Sequence, residues 1–149
     1  MTIQTFIVLY NETFKFVQEK YGNDAVLGLW KNLRETQLTH LDGLVARGGL
    51  AGMNEYWNGD DGTLSREQAG FEITYEPDRL FLIDMARCPS VGEIWESGRE
   101  PMIGSLTYCD HCPNLYMPIG EKHGFKMTYE IEYEDDGRCT GRCKLKAEV

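Results

Sequence analysis

Five cysteines, at positions 88, 109, 112, 139 and 143, are the residues of this chain best suited to chemistry, and all of them lie beyond its midpoint. The densest group is Cys109-Asp110-His111-Cys112. Pro113 suits the first position of a helix, so this group reads as the approach to a helix N-terminus, where backbone N–H groups and the helix dipole favour a thiolate over a thiol. The same C-x-x-C spacing would let two sulfurs share one tetrahedral metal, and Cys with His is a ligand pair that zinc accepts. Cys139 and Cys143 look like a second pair. In a regular strand, however, four residues on one face span about 13 Å at a rise of roughly 3.3 Å per residue. Zinc holds sulfur at about 2.3 Å, so at most one of the two can join a common site, and the other reads as a small core hydrophobe. Cys88 stands at a strand end before a short helix, the same setting as Cys109, so the two can converge at one end of a sheet.

The rest of the composition narrows the field. The chain has 149 residues, 42% of them hydrophobic and 11% aromatic, which is enough for one packed domain over residues 1–149. Fifteen basic against twenty-four acidic side chains give a net charge of −9, which argues against nucleic acid or an anionic membrane as a partner. The longest apolar run, residues 6–10, is far short of the roughly 20 residues of a membrane span and lacks the flanks of a signal peptide. A cytoplasmic setting follows as the expectation. There thiols stay reduced, and an odd number of cysteines suggests ligation, thiolate chemistry or packing rather than disulfides. No P-loop, G-x-G-x-x-G, G-x-S-x-G or H-E-x-x-H is present.

Several elements must position these side chains. A helix is expected over 11–21, broken by Gly22, then a long one over 25–47 stopped by Gly48-Gly49, then a short one over 50–57. The polar stretch 58–70 reads as a loop. From Phe71 the period becomes two, giving a hairpin over 71–88 whose second strand is apolar on both faces and so central in its sheet. Ser90 with Glu93 suggests a capping box for a helix over 90–97. A further helix is expected over 112–123, kinked or shortened by Pro118. Residues 125–148 form the clearest hairpin. A three-residue loop ending in Gly137 keeps one face apolar and pairs Tyr133 with Cys139 and Tyr129 with Cys143. The fold class is α+β: two antiparallel hairpins in one four-stranded sheet, covered by the N-terminal helices and joined by two short ones. His40 reads as a surface helical histidine, and Trp30, Trp57 and Trp95 as core or pocket-wall aromatics.

The string Ala86-Arg87-Cys88-Pro89, Tyr108-Cys109-x-x-Cys112, Leu115-Tyr116, Gly124-Phe125, Gly137 and Cys143 resembles the family of L-2-amino-thiazoline-4-carboxylic acid hydrolases over about residues 80–146. The family's cysteines correspond to Cys88, Cys109 and Cys143. Cys112 stands where the family pattern carries an acidic residue, a change that would suit a metal or redox site. The resemblance implies an enzyme of sulfur metabolism that opens a thiazoline ring at its C=N bond. In that reading Cys109 is the nucleophile, His111 or Asp110 moves protons, and Arg87, Tyr116 and Trp95 hold the substrate, with Arg87 and the helix N-terminus as the anion binders.

Two other readings stand beside it. Cys88, Cys109, Cys112 and Cys143 could hold zinc in a closed, structural or ligand-binding module. Alternatively, the C-x-x-C could do thiol–disulfide chemistry. The expected partner is a small-molecule substrate or a metal ion, and the amphipathic helices allow a homodimer.

Overall fold

The computed structural model describes residues 2–62, 64 and 70–149. Four helices come first: α1 (Ile3–Tyr21), α2 (Asn23–Gln37), α3 (Thr39–Gly48) and α4 (Leu50–Asn58). The hairpin β1 (Gly70–Glu76) and β2 (Leu80–Arg87) follows, then α5 (Pro89–Glu96), a 3-10 turn (Tyr108–Asp110) and α6 (His111–Lys122). The hairpin β3 (Lys126–Tyr133) and β4 (Cys139–Glu148) ends the chain. The expected α+β class is what forms. The four strands make one antiparallel sheet in the order β1-β2-β4-β3, so the strand with apolar residues on both sides, β2, is indeed central.

Several boundaries differ from expectation for local reasons. The first helix begins eight residues earlier than expected, because Thr2 caps it by accepting a hydrogen bond from the Thr5 N–H at 3.1 Å. The long helix expected over 25–47 is two, divided at Leu38, whose backbone leaves the helical region at φ −99° and ψ 20°. The helix after β2 starts at Pro89 with Cys88 as its cap and no side-chain capping bond, so Ser90 and Glu93 do not form the expected box. That motif occurs instead at Thr107 and Asp110. Pro118 does not shorten α6. Proline removes the N–H that would reach the Asn114 carbonyl, and Arg34 Nη1 from α2 donates to that carbonyl at 2.6 Å. Most of the loop expected over 58–70 lies outside the described residues, although α4 extends to Asn58 and Leu64 is buried in the core.

The terminal hairpin follows the expected turn and then departs from the expected register. Glu134 N–H donates to the Arg138 carbonyl at 2.7 Å across a three-residue loop, Gly137 takes φ +84°, and Tyr133 pairs with Cys139. Beyond that, Cys143 pairs with Ile131, not with Tyr129, which sits opposite Leu145. The cause is a bulge in β4 at Gly141, which adopts φ +87°, a backbone conformation open mainly to glycine. The bulge also frees the Gly141 carbonyl to accept from the Cys88 N–H at 2.8 Å, which ties the end of β2 and the start of α5 to β4.

Two groups of buried side chains result. One lies between the sheet and α3, α4 and α6, with Phe81, Ile83, Leu145 and Ala147 packed on Leu41, Val45, Met53, Trp57 and Ile119. The other gathers Phe14 and Trp30 from α1 and α2, Val91 and Ile94 from α5, and Tyr108, Cys109, Leu115 and Cys139. Thus α1 and α2 pack chiefly on α5 and α6 rather than laying both long helices on the sheet. Leu38, Cys88 and Tyr116 touch both groups. Among the described residues no helix is long and apolar enough to cross a membrane.

Candidate functional site

All five cysteines converge at the seam between the two groups. Cys109, in the 3-10 turn, is joined by a disulfide to Cys139 at the start of β4, with 6.6 Å between their Cα atoms. This corrects the expectation of reduced cysteines throughout, and it removes Cys109 as a nucleophile while the bond stands. The C-x-x-C is not closed on itself here: Cys109 bonds a partner thirty residues away, and Cys112 carries a thiol. The pairing becomes possible because the hairpin loop and the Gly141 bulge bring the first residue of β4 against the turn preceding α6.

Cys88, Cys112 and Cys143 carry thiols and are half-buried. They line a cavity of about 270 Å³ together with His111, Tyr116 and Tyr129. A narrower recess of about 10 Å³ touches these three cysteines and the Cys109–Cys139 bond as well. The two spaces share His111, Tyr108 and Tyr129 in their walls, while Cys109 and Cys139 face only the inner one.

His111 is fixed from two sides. Its ring is buried beside Tyr108, Phe14 and Trp30, with centroids 4.5, 5.7 and 6.3 Å away. Its Nδ1 lies 2.5 Å from the Tyr108 carbonyl oxygen. A carbonyl only accepts, so Nδ1 carries the hydrogen and Nε2 presents a lone pair. Cys112 Sγ lies 3.5 Å from Nε2 and 4.0 Å from Nδ1, so the sulfur rests over the ring on its Nε2 side. A thiol thus sits beside a base whose tautomer is set by a third group. Cys112, the second residue of α6, thus takes the place expected for Cys109.

Cys143 is of a different kind. Burial pushes its thiol up to about 12, a Tyr129 hydroxyl donating to its sulfur at 3.5 Å opposes the rise, and charge on Cys88 or Cys112 adds to it. It therefore keeps its proton at neutral pH. Burial likewise pushes the Tyr129 phenol well up, so that hydroxyl remains a donor.

The other expected site residues divide. Tyr116 lines the cavity, edge-on to Trp57 at 5.4 Å. Asp110 turns away: its carboxylate accepts from the Thr107 N–H at 2.6 Å and the Thr107 hydroxyl at 3.0 Å, holding the 3-10 turn instead of moving protons. Arg87 pairs with Glu96 on the surface, beside Gly92. Trp95 is partly exposed and borders a separate surface groove with Arg99 and Arg138. At the start of α6 the His111 N–H already bonds back to the Tyr108 carbonyl and Pro113 has none, so two of its first three residues offer an anion no N–H. Among the described residues no three of His, Cys, Asp or Glu are grouped to hold a metal ion. Cys109 is withheld from the expected four-cysteine zinc set while its bond to Cys139 stands.

Sequence reasoning missed Cys139 as the partner of Cys109 and Tyr108 and Tyr129 as site residues. Tyr108 could have been suspected from its place beside Cys109; Cys139 carried no spacing signal. No family model matches the chain, and no curated protein or solved structure is similar to it.

Proposed function

We propose that this chain is an enzyme that hydrolyses a small cyclic amidine, with Cys112 as nucleophile and His111 as base and then acid. The observation that carries the reading is the Cys112 Sγ–His111 Nε2 contact at 3.5 Å in the wall of a 270 Å³ cavity. The reaction class comes from the resemblance to thiazoline carboxylate hydrolases.

His111 Nε2 takes the Cys112 proton, and the sulfur adds to the amidine carbon. The imidazolium returns that proton to the ring nitrogen as the C–N bond breaks, which leaves an iminodithiocarbonate on Cys112, its carbon bonded to the Cys112 sulfur, the former ring sulfur and one nitrogen. Water then adds to the same carbon, giving a proton to His111, and the Cys112 thiolate leaves. Tyr116 and Trp57 give the cavity aromatic walls suited to a flat ring. Neither Arg87 nor the start of α6 is placed to bind a carboxylate, so the amidine carbon defines the substrate and the acid group does not.

The test is turnover of 2-aminothiazoline, with and without its 4-carboxylate, by the wild type and by Cys112→Ser. The expected result is hydrolysis of both compounds, with kcat/KM reduced at least about a thousandfold in the variant. Equal activity in Cys112→Ser, or no turnover by the wild type, contradicts the proposal.

A further inference from the structure

The cavity holds chemistry that hydrolysis does not use. An inner disulfide, Cys109–Cys139, lies behind a wall of thiols, its two cysteines almost fully buried at 8% and 4% exposure. A solute entering the larger cavity meets Cys112 and not the disulfide, because Cys109 and Cys139 face only the inner recess. Cys112 faces both spaces and has His111 Nε2 at its sulfur. Cys109 and Cys112 sit three residues apart on one continuous turn of 3-10 and α-helix. Such a spacing keeps Cα atoms within roughly 7 Å, the range a disulfide accepts.

We propose that the site is a thiol–disulfide relay, in which Cys112 moves the inner disulfide out to the cavity and passes it to a low-molecular-weight thiol. This rests on the Cys112–His111 pair of the proposed function.

In the first step His111 takes the Cys112 proton and the Cys112 sulfur attacks Cys109 Sγ. The Cys109–Cys112 bond forms, the Cys109–Cys139 bond breaks, and Cys139 leaves as a thiolate that receives the proton held by His111. No electrons enter or leave; the step is an isomerisation. Next the thiolate of the small thiol attacks Cys112 Sγ, Cys109 leaves, and a mixed disulfide stands on Cys112. A second small thiol then attacks the sulfur of the first, releasing the small disulfide and the Cys112 thiolate. The sum is one protein disulfide plus two thiols giving two protein thiols plus one small disulfide, with two electrons passed from the small thiols to the protein. Cys143 stays a bystander, since its thiol remains protonated.

The experiment treats the full chain with 2-mercaptoethanol, quenches with acid at intervals, alkylates and maps the cysteine peptides by mass spectrometry. Transient Cys109–Cys112 linkage and a mixed disulfide on Cys112, both before any on Cys139, are expected. In Cys112→Ser the loss of the Cys109–Cys139 bond should slow at least about tenfold. A mixed disulfide first found on Cys109 or Cys139, or wild-type rates in Cys112→Ser, overturns the relay. The wild-type mapping alone decides the matter if the variant does not fold. Amidine turnover measured on the same samples separates the two proposals. Hydrolysis kept in Cys112→Ser while the exchange slows sinks the hydrolase reading and upholds the relay. Hydrolysis lost in Cys112→Ser with no Cys109–Cys112 linkage in the wild type sinks the relay alone.

Discussion

The two buried groups of this molecule are built differently. The one under the sheet is apolar at its centre: Phe81 stacks on Trp57 with centroids 5.6 Å apart, and β2 and β4 fill the space between α3, α4 and α6. The one between α1, α2 and α5 has polar groups at its heart. Asn11 is fully buried and accepts from the Met102 N–H at 2.9 Å while donating to the Glu100 carbonyl at 2.9 Å. His111, the Cys109–Cys139 bond and the Trp30 Nε1, which has no hydrogen-bond partner among the described residues, lie in the same layer. Apolar packing can hold a fold but cannot orient a proton. The polar layer spends buried hydrogen bonds on fixing a turn and a ring, and the reactive cavity opens where the two groups meet.

The largest test of that contrast is in the apolar group. Phe81→Ala should cost about 3–5 kcal/mol in urea unfolding while leaving the disulfide in place, because Phe81 is fully buried and the strands around it cannot close the hole. Opening the Cys109–Cys139 bond with dithiothreitol comes next. A link across thirty residues is worth about 3–4 kcal/mol by loop entropy, and the loss should add to that of Phe81→Ala if the two groups are independent. Non-additive unfolding energies would show that they are one cooperative core. Asn11→Ala should cost about 1–3 kcal/mol, because the buried Met102 N–H loses its acceptor.

The smallest effect lies at the surface. Lys122 and His123 hydrogen-bond Asp42 at 2.7 Å and hold its carboxyl below the usual carboxylate range. Its stabilisation is present above the unfolded value and lost as pH falls through the folded one. Asp42→Asn should therefore cost less than about 1 kcal/mol at neutral pH, and its unfolding energy should converge on that of the wild type in acid.

What could be read from the sequence follows the range of the signal. Strict alternation in Phe125–Tyr133 and a glycine at 137 gave the last hairpin and its loop, and the apolar run of Leu80–Ile83 gave a central strand, because both are local patterns. The pairing of Cys143 went astray because one glycine, Gly141, shifts the register, and a glycine in a strand does not announce a bulge. Pro118 misled for the opposite reason: the bond it removes is replaced by Arg34, a residue eighty positions away. The cysteines stood out in the sequence, and His111 and Tyr116 line the same cavity as three of them. Which sulfur does what was not, since the Cys109–Cys139 bond depends on how a hairpin meets a helix start.

The role of Cys112 is tested most directly by the order in which the thiols react with iodoacetamide at pH 7, followed by peptide mapping. Cys112, with His111 at its sulfur, should be alkylated first, and Cys143, whose thiol is pushed up to about 12, last. Alkylation of any other cysteine ahead of Cys112, or three thiols reacting at one common slow rate, would contradict it.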